Sequence, residues 1–265
     1  MISVKSLSYS TVSQYANCPE RVYYEKIEHL PKINGMSGKA LFGISIHSTI
    51  AAFFRGLLNN VKLDIDQLVR VFKIRYESWP ANGIVENTVA IDDLCAEAKT
   101  LLQQFLASDP PTSIIAIEKP DKYSLTSTLD CVTQVDLLVR DANGVLNVID
   151  IKTTSKSPTQ DQIDKYEEQC LTYAMAYHEP VKAKIWLFLR RKKNPEFQSL
   201  DLDIDRIEYR EIIDKFTNVA KAISAGIHFK NKGWMCGGCP YSYMCKRKPE
   251  ANTEVPVEQE YREAA

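Results

Sequence analysis

The stretch Val132-Thr-Gln-Val-Asp136-Leu-Leu-Val-Arg140-Asp-Ala-Asn-Gly144-Val-Leu-Asn-Val-Ile-Asp150-Ile-Lys152 decides the fold. Two β-type runs flank Asn143-Gly144, a strong hairpin signal. With Ala142-Asn143-Gly144 as a three-residue loop and Gly144 left-handed, Asp141 pairs with Val145, and counting back along both strands sets Asp136 opposite Asp150. Their Cβ atoms then lie about 5 Å apart on one face. Like charges so placed repel, and a folded chain tolerates them when a divalent cation sits between them. Lys152 shares that face because strand side chains alternate. Two carboxylates and an ammonium form a constellation for phosphodiester hydrolysis: the metal lowers the pKa of bound water, while Lys152 positions the nucleophile or stabilises the transition state. The plain alternative is an exposed acidic pair with a salt-bridging lysine, which contributes little. A register slip of one residue would put the aspartates on opposite faces.

Working outward, Ser113–Glu118, Tyr123–Leu129 and Lys184–Leu189 also read as strands, with Arg206–Tyr209 as an edge strand. Helical periodicity marks Thr159–Tyr177 and Ile212–Ala225, and upstream Ser45–Leu58, Ile65–Trp79 and Ile91–Ala107. Ser8 to Cys18 reads as a capped helix stopped by Pro19 and followed by a short second one, and 34–43 reads as a Gly-punctuated loop. The expected architecture is α/β, a central mixed sheet flanked by helices. It forms one domain over 1–250, with a helical insert over about 45–108, a core over 113–230 and a polar, disordered tail at 251–265.

Seven cysteines divide into two kinds. Cys95, Cys131 and Cys170 stand singly in apolar-patterned segments, as small hydrophobes do. Cys236-Gly-Gly-Cys239-Pro-Tyr-Ser-Tyr-Met-Cys245 supplies three thiols to one centre, and Cys18, also followed by Pro, is the candidate fourth. Four thiolates hold either an iron-sulfur cluster or a structural zinc. Structural zinc more often takes two close pairs, so this one-plus-three spacing favours a [4Fe-4S] cluster that staples the chain ends together.

Lys and Arg number 33 against 34 Asp and Glu, so a polyanion must be met by a local patch, not by whole-molecule attraction. The apolar runs, such as Ile114–Ile117 and Ile185–Leu189, are short, and the first ten residues have no signal-peptide pattern. A cytoplasmic protein without a membrane span is expected.

The motifs, taken in order, resemble the PD-(D/E)XK nucleases, in particular the RecB-like branch with an iron-sulfur cluster, which includes the AddB nuclease domain and the fourth CRISPR-associated protein. They are Cys18-Pro19, Gly43-Ile-Ser-Ile-His47, Glu118, Asp136, Asp150-Ile-Lys152-Thr153, Gln169-Cys-Leu-Thr-Tyr173 and the cysteine triplet. The resemblance implies a restriction-endonuclease-like sheet. It also implies Mg2+ or Mn2+ on His47, Asp136, Asp150 and the carbonyl of Ile151, with Lys152 catalytic. Gln169 and Tyr173, one helical turn apart, resemble the family's QxxxY motif for DNA contact and site positioning. Thr133 departs from the Gly often found three residues before the first aspartate, and Glu118 matches an acidic position of unassigned role.

Basic residues at Lys182, Lys184, Arg190-Arg191-Lys192-Lys193 and Lys246-Arg247-Lys248, with Tyr and Phe nearby, suggest a cationic groove for single-stranded nucleic acid; solvated charge is the plain alternative. The expected function is a metal-dependent DNA exonuclease acting on single strands or free ends in recombination, repair or phage and CRISPR-linked DNA processing. A homo-oligomer or a recombination or CRISPR protein is the expected protein partner. The competing readings are a non-catalytic DNA-binding or assembly subunit and a zinc-stapled endonuclease.

Overall fold

The structure, a computed structural model, describes residues 3–32, 36–79, 84–85, 89–191 and 193–246. The tail expected at 251–265, together with Asn34, Lys192, Arg247 and Lys248, lies outside the described residues.

The chain opens with β1 (Ser6–Leu7), α1 (Tyr9–Asn17) and α2 (Pro19–Val22). Ser8 caps α1 by accepting the Thr11 N–H, and Pro19 begins the next helix, where its missing N–H costs nothing. A short β2 (Met36–Ser37) leads into α3 (Gly38–Leu58), so the helix begins inside the segment expected as a loop. Ser37 caps it through the Ala40 N–H. Then come α4 (Ile65–Glu77), β3 (Ile84–Val85), which pairs with β2, and α5 (Ile91–Ala107). The sheet strands are β4 (Ile114–Ser124), β5 (Asp130–Arg140) and β6 (Leu146–Thr154), followed after α6 (Gln160–Ala174) by β7 (Val181–Leu189) and β8 (Glu196–Leu202). Helix α7 (Tyr209–Ser224) and the short α8 (Ser242–Lys246) end the described chain.

The sheet is mixed, in the order β1-β5-β6-β7-β8, with β4 on the far side of β5. Strand β7 is parallel to β6, antiparallel to β8 and buried on both faces, which its unbroken apolar run requires. One face, with Leu138, Val148, Ile185 and Leu187, packs on α1, α6 and α7. The other, with Leu137, Ile149, Ile151, Trp186 and Phe188, packs on α3, α4 and α5. The helical insert is therefore the second layer over the sheet.

Two strand expectations need correction. Strand β4 is continuous where two pieces were expected; it carries Pro120 because it pairs with β5 alone, and an edge tolerates a missing N–H. The second edge strand is β8, not Arg206–Tyr209. There a 3-10 turn, Ile204–Arg206, leads toward α7, and Arg206 is tied to Glu167 and Asp164 of α6. By length and composition helix α3 alone, among the described residues, is long and apolar enough to cross a bilayer. Its hydroxyls interrupt the run in sequence, yet Ser45 and Thr49 donate back to Leu41 O and Ser45 O, and Phe42, Ile46, Ile50 and Phe54 are buried against the sheet.

The hairpin register is as read from the sequence. Leu137 faces Ile149, Arg140 faces Leu146, and Gly144 has φ 79°. Asp141 Oδ1 accepts the N–H groups of Asn143 and Val145, closing the loop. A Cβ on Gly144 would meet nothing within 4 Å, so Gly144→Ala has a backbone cost alone. A loss of about 1 kcal/mol in urea unfolding is expected.

Candidate active site

The ladder between β5 and β6 stops at Leu137–Ile149, one pair before the aspartates. β1 pairs with the same side of β5 at Asp130 and Cys131. Between these two ladders β5 and β6 form a fork, and the Ile151 N–H, freed from the ladder, donates to Asp136 Oδ2 at 2.8 Å. The expectation of two aspartates opposed on one face gives way to this opening. Asp136 is engaged from the α3 layer and Asp150 from the α6 layer, and each still bears on the other's charge.

His47 of α3 places Nδ1 3.3 Å from Asp136 Oδ1. Asp150, 3 % exposed, holds Lys152 Nζ at 2.6 Å on Oδ2. Its Oδ1 accepts from Gln169 Nε2 at 3.2 Å and from the Tyr173 hydroxyl at 3.4 Å. Gln169 and Tyr173 are themselves 2.5 Å apart. The structure thus brings together His47, Asp136, Asp150, Ile151, Lys152, Gln169 and Tyr173. The last two both contact Asp150 Oδ1, and Tyr173 is buried.

The electrostatics follow from this packing. Burial is the largest influence on Asp150 and, with the Asp136 charge, raises its pKa against the pull of Lys152 and His47. Burial also opposes the charge on Asp136, but the His47 contact, the Ile151 N–H and Lys152 outweigh it and hold the carboxyl below its usual range. For His47 and Lys152, desolvation is outweighed by the carboxylates, and both are raised. The four groups are electrostatically linked: the carboxylates favour the charged forms of His47 and Lys152, and those two favour the charged form of Asp136.

Among the described residues, no three His, Cys, Asp or Glu side chains converge tightly enough to hold an ion as they stand. The donor set nevertheless fits a hard cation. Asp150 Oδ2 is buried with the ammonium beside it but no aligned hydrogen bond, and His47 and Asp136 line a cavity of about 10 Å3, close to the space for one water. Glu118 and Ile151 line that cavity too.

Sequence reasoning left Glu118 without a role and missed Arg55. Glu118 stands across β4 from Asp136, where that ladder skips a pair, and its φ of 49° is left-handed. Such a backbone in a non-glycine residue costs about 1–3 kcal/mol and persists where surroundings enforce it. Arg55 holds the Glu118 carboxylate. The available signal was its spacing, eight residues beyond His47 on α3 and so near the same helix face.

Gly43 lets α3 approach β6. A Cβ there would stand 2.7 Å from Thr153 Oγ1. Gly43→Ala is expected to cost about 1–3 kcal/mol and to displace His47. Adding Thr153→Ala should restore part of both losses, a coupling of about 0.5–3 kcal/mol in a double-mutant cycle read by urea unfolding. Simple addition of the two single effects would refute the contact.

The sequence matches the PD-(D/E)XK nuclease superfamily over residues 6–246. The chain belongs to that superfamily. A solved structure agrees with the fold of this nuclease. A Eubacterium rectale protein named "Putative exonuclease" superposes with TM-score 0.59 at 10% identity, covering 94% of this chain and 91% of that one. The protein SSO0001 gives TM-score 0.43 at 12% identity, over 93% and 88%. No curated protein matches the sequence.

Four described members of the basic runs are ion-paired. Lys182 is paired with Asp141, Lys184 with Asp201, and Arg191 with Glu196. Arg190 binds Glu97 through two nitrogens and stacks on Phe42, fixing α5 and α3 to the end of β7.

The cysteines separate as the sequence indicates. Cys131 and Cys170 are buried in the core, and Cys95 packs at its margin. Cys18, Cys236, Cys239 and Cys245 line one cavity of about 440 Å3 where the chain ends meet. Hydrogen bonds also join those segments. Glu20 N–H donates to Phe229 O at 3.2 Å, His228 Nδ1 lies 2.6 Å from Glu20 Oε2, and Asn231 Nδ2 donates to Asn17 O at 2.9 Å.

Proposed function

We propose that this nuclease is a metal-dependent DNA exonuclease that hydrolyses phosphodiester bonds of single strands or free ends, within recombination, repair or phage and CRISPR-linked DNA processing. The carrying observation is the buried Asp150–Lys152 pair at 2.6 Å, beside Asp136 and His47 in the strand fork. On this reading His47, Asp136, Asp150 and the carbonyl of Ile151 hold Mg2+ or Mn2+, which when bound supplies Lewis acidity and an activated water. Lys152 is placed to steer the attacking oxygen and to offset charge developing on the phosphoryl group. Gln169 and Tyr173 fix Asp150 from behind, and Arg55 keeps Glu118 from adding a third free carboxylate. The exonuclease assignment is supported by the name of the Eubacterium rectale neighbour, which shares the fold.

Cys18, Cys236, Cys239 and Cys245 are proposed to hold a [4Fe-4S] cluster. The four thiols line one cavity, and their one-plus-three spacing supports a cluster over a single zinc, which more often takes two close pairs. The cluster would be a structural staple.

The test is cleavage of end-labelled linear and closed circular single-stranded DNA by anaerobically purified protein, with Mn2+ and with chelator. Loss of linear DNA alone, abolished by chelator, supports the exonuclease. Cutting of the circle makes the protein an endonuclease, and binding without cleavage makes it an assembly subunit.

A further inference from the structure

The cysteine-lined cavity contains a polar group that nothing in the fold satisfies. Arg21, three residues beyond Cys18 on α2, lines the cavity, and its Nε is buried without an acceptor among the described residues. Its position is fixed, because the Arg21 N–H donates to Cys18 O at 3.1 Å. Glu20 is engaged with His228, while Glu25 pairs through Oε1 with Lys26 and Lys32 and leaves its Oε2 buried without a hydrogen-bond partner among the described residues. Lys230 and Lys232 line the same cavity, and among the described residues neither they nor Arg21 has a carboxylate within ion-pair distance.

Buried donors are seldom left unpaired, and the cavity that Arg21 lines is also lined by the four thiols. Four thiolates gathered on one metal group bring concentrated negative charge, which three unpaired cations offset. We propose that Arg21 Nε–H donates a hydrogen bond to a sulfur of the metal–thiolate group held by Cys18, Cys236, Cys239 and Cys245, and thereby sets the stability and redox poise of that group. The inference rests on the metal–thiolate reading given above. Donors to cluster sulfur stabilise the more negative, reduced form and raise the potential, while the surrounding shell also governs metal affinity.

The experiment uses the full chain purified anaerobically, as wild type, Arg21→Met, Arg21→Lys and Lys232→Met. Metal content is measured first, then the midpoint potential by spectroelectrochemistry. With iron bound, Arg21→Met is expected to lower the potential by about 59 mV, a tenfold change in the one-electron equilibrium. Lys232→Met, which removes a cation from an exposed position, should lower it less. An unchanged potential in Arg21→Met overturns the proposal. Should that variant fail to fold, Arg21→Lys decides, because it keeps the charge but loses the Nε donor: a lowered potential supports the contact and an unchanged one overturns it. Zinc in the wild-type thiols would refute the iron reading alone. The Arg21 contact is then read from zinc affinity by chelator competition, weakened about tenfold in Arg21→Met if it exists and unchanged if it does not. A wild-type protein whose cysteines bind neither metal overturns both.

Discussion

Replacing Lys152 by Ala is expected to reduce DNA cleavage by about 10²- to 10⁴-fold, the range of one positioned proton-transfer or charge-stabilising group. Lys152 Nζ is the cation 2.6 Å from Asp150 Oδ2, and Asp150 is almost wholly buried. The substitution therefore also strands a buried carboxylate, and removing one partner of a buried pair costs about 3–5 kcal/mol. Asp136 and Asp150 lose the charge that separates their own repulsion, so metal-free Lys152→Ala should melt lower than wild type. Single-turnover cleavage at saturating Mn2+, on protein shown folded by circular dichroism, isolates the chemical loss. Substrate affinity should change only a few-fold. A folded Lys152→Ala protein that cleaves within tenfold of wild type would remove Lys152 from the mechanism.

Phe105→Ala is expected to give the largest loss of stability, about 3–5 kcal/mol. Phe105 is fully buried on α5, with ring centroids of Phe53, Phe54, Trp186 and Phe197 at 5.4, 6.1, 5.3 and 5.6 Å. These rings come from α3, β7 and β8, so a cavity here loosens the layer that carries His47 from the sheet that carries Asp150. At about 2–4 °C per kcal/mol for a chain near this size, the melting temperature should fall by roughly 6–20 °C. Cleavage at low temperature should weaken as well, because His47 is held by packing. If α3–α5 unfolded in a separate transition while the sheet persisted, a probe on Trp186 and one on α6 would melt at different temperatures in this variant. A single shared transition is the expected result.

Local chemistry was legible where it is local. Asn143-Gly144 set the hairpin loop and, through it, the register that brings Asp136 toward Asp150, because turn geometry and a left-handed glycine depend on a few adjacent residues. Ser8 began its helix for the same reason, by accepting the Thr11 N–H that its own segment leaves free. The cysteines, too, could be sorted from their spacing and neighbours, and the four singled out by it do share one cavity.

Other features required the folded chain. That the β5–β6 ladder stops before the aspartates, so that Asp136 is met by α3 and Asp150 by α6, depends on β1, more than 120 residues upstream, taking the side of β5 that β6 leaves. Whether a basic run is a groove or a set of ion pairs depends on which acids the sheet order puts opposite it, as with Arg190 and Glu97. The strained backbone of Glu118 and its Arg55 partner arise from strand pairing with β5 and the seating of α3. Sequence alone determined the main helices, the hairpin register and the kinds of chemistry available, since those follow from propensity and spacing within a segment. Tertiary structure decided which charges remain free and which face each other, since charge pairing between segments is set by topology, and topology is a property of the whole chain.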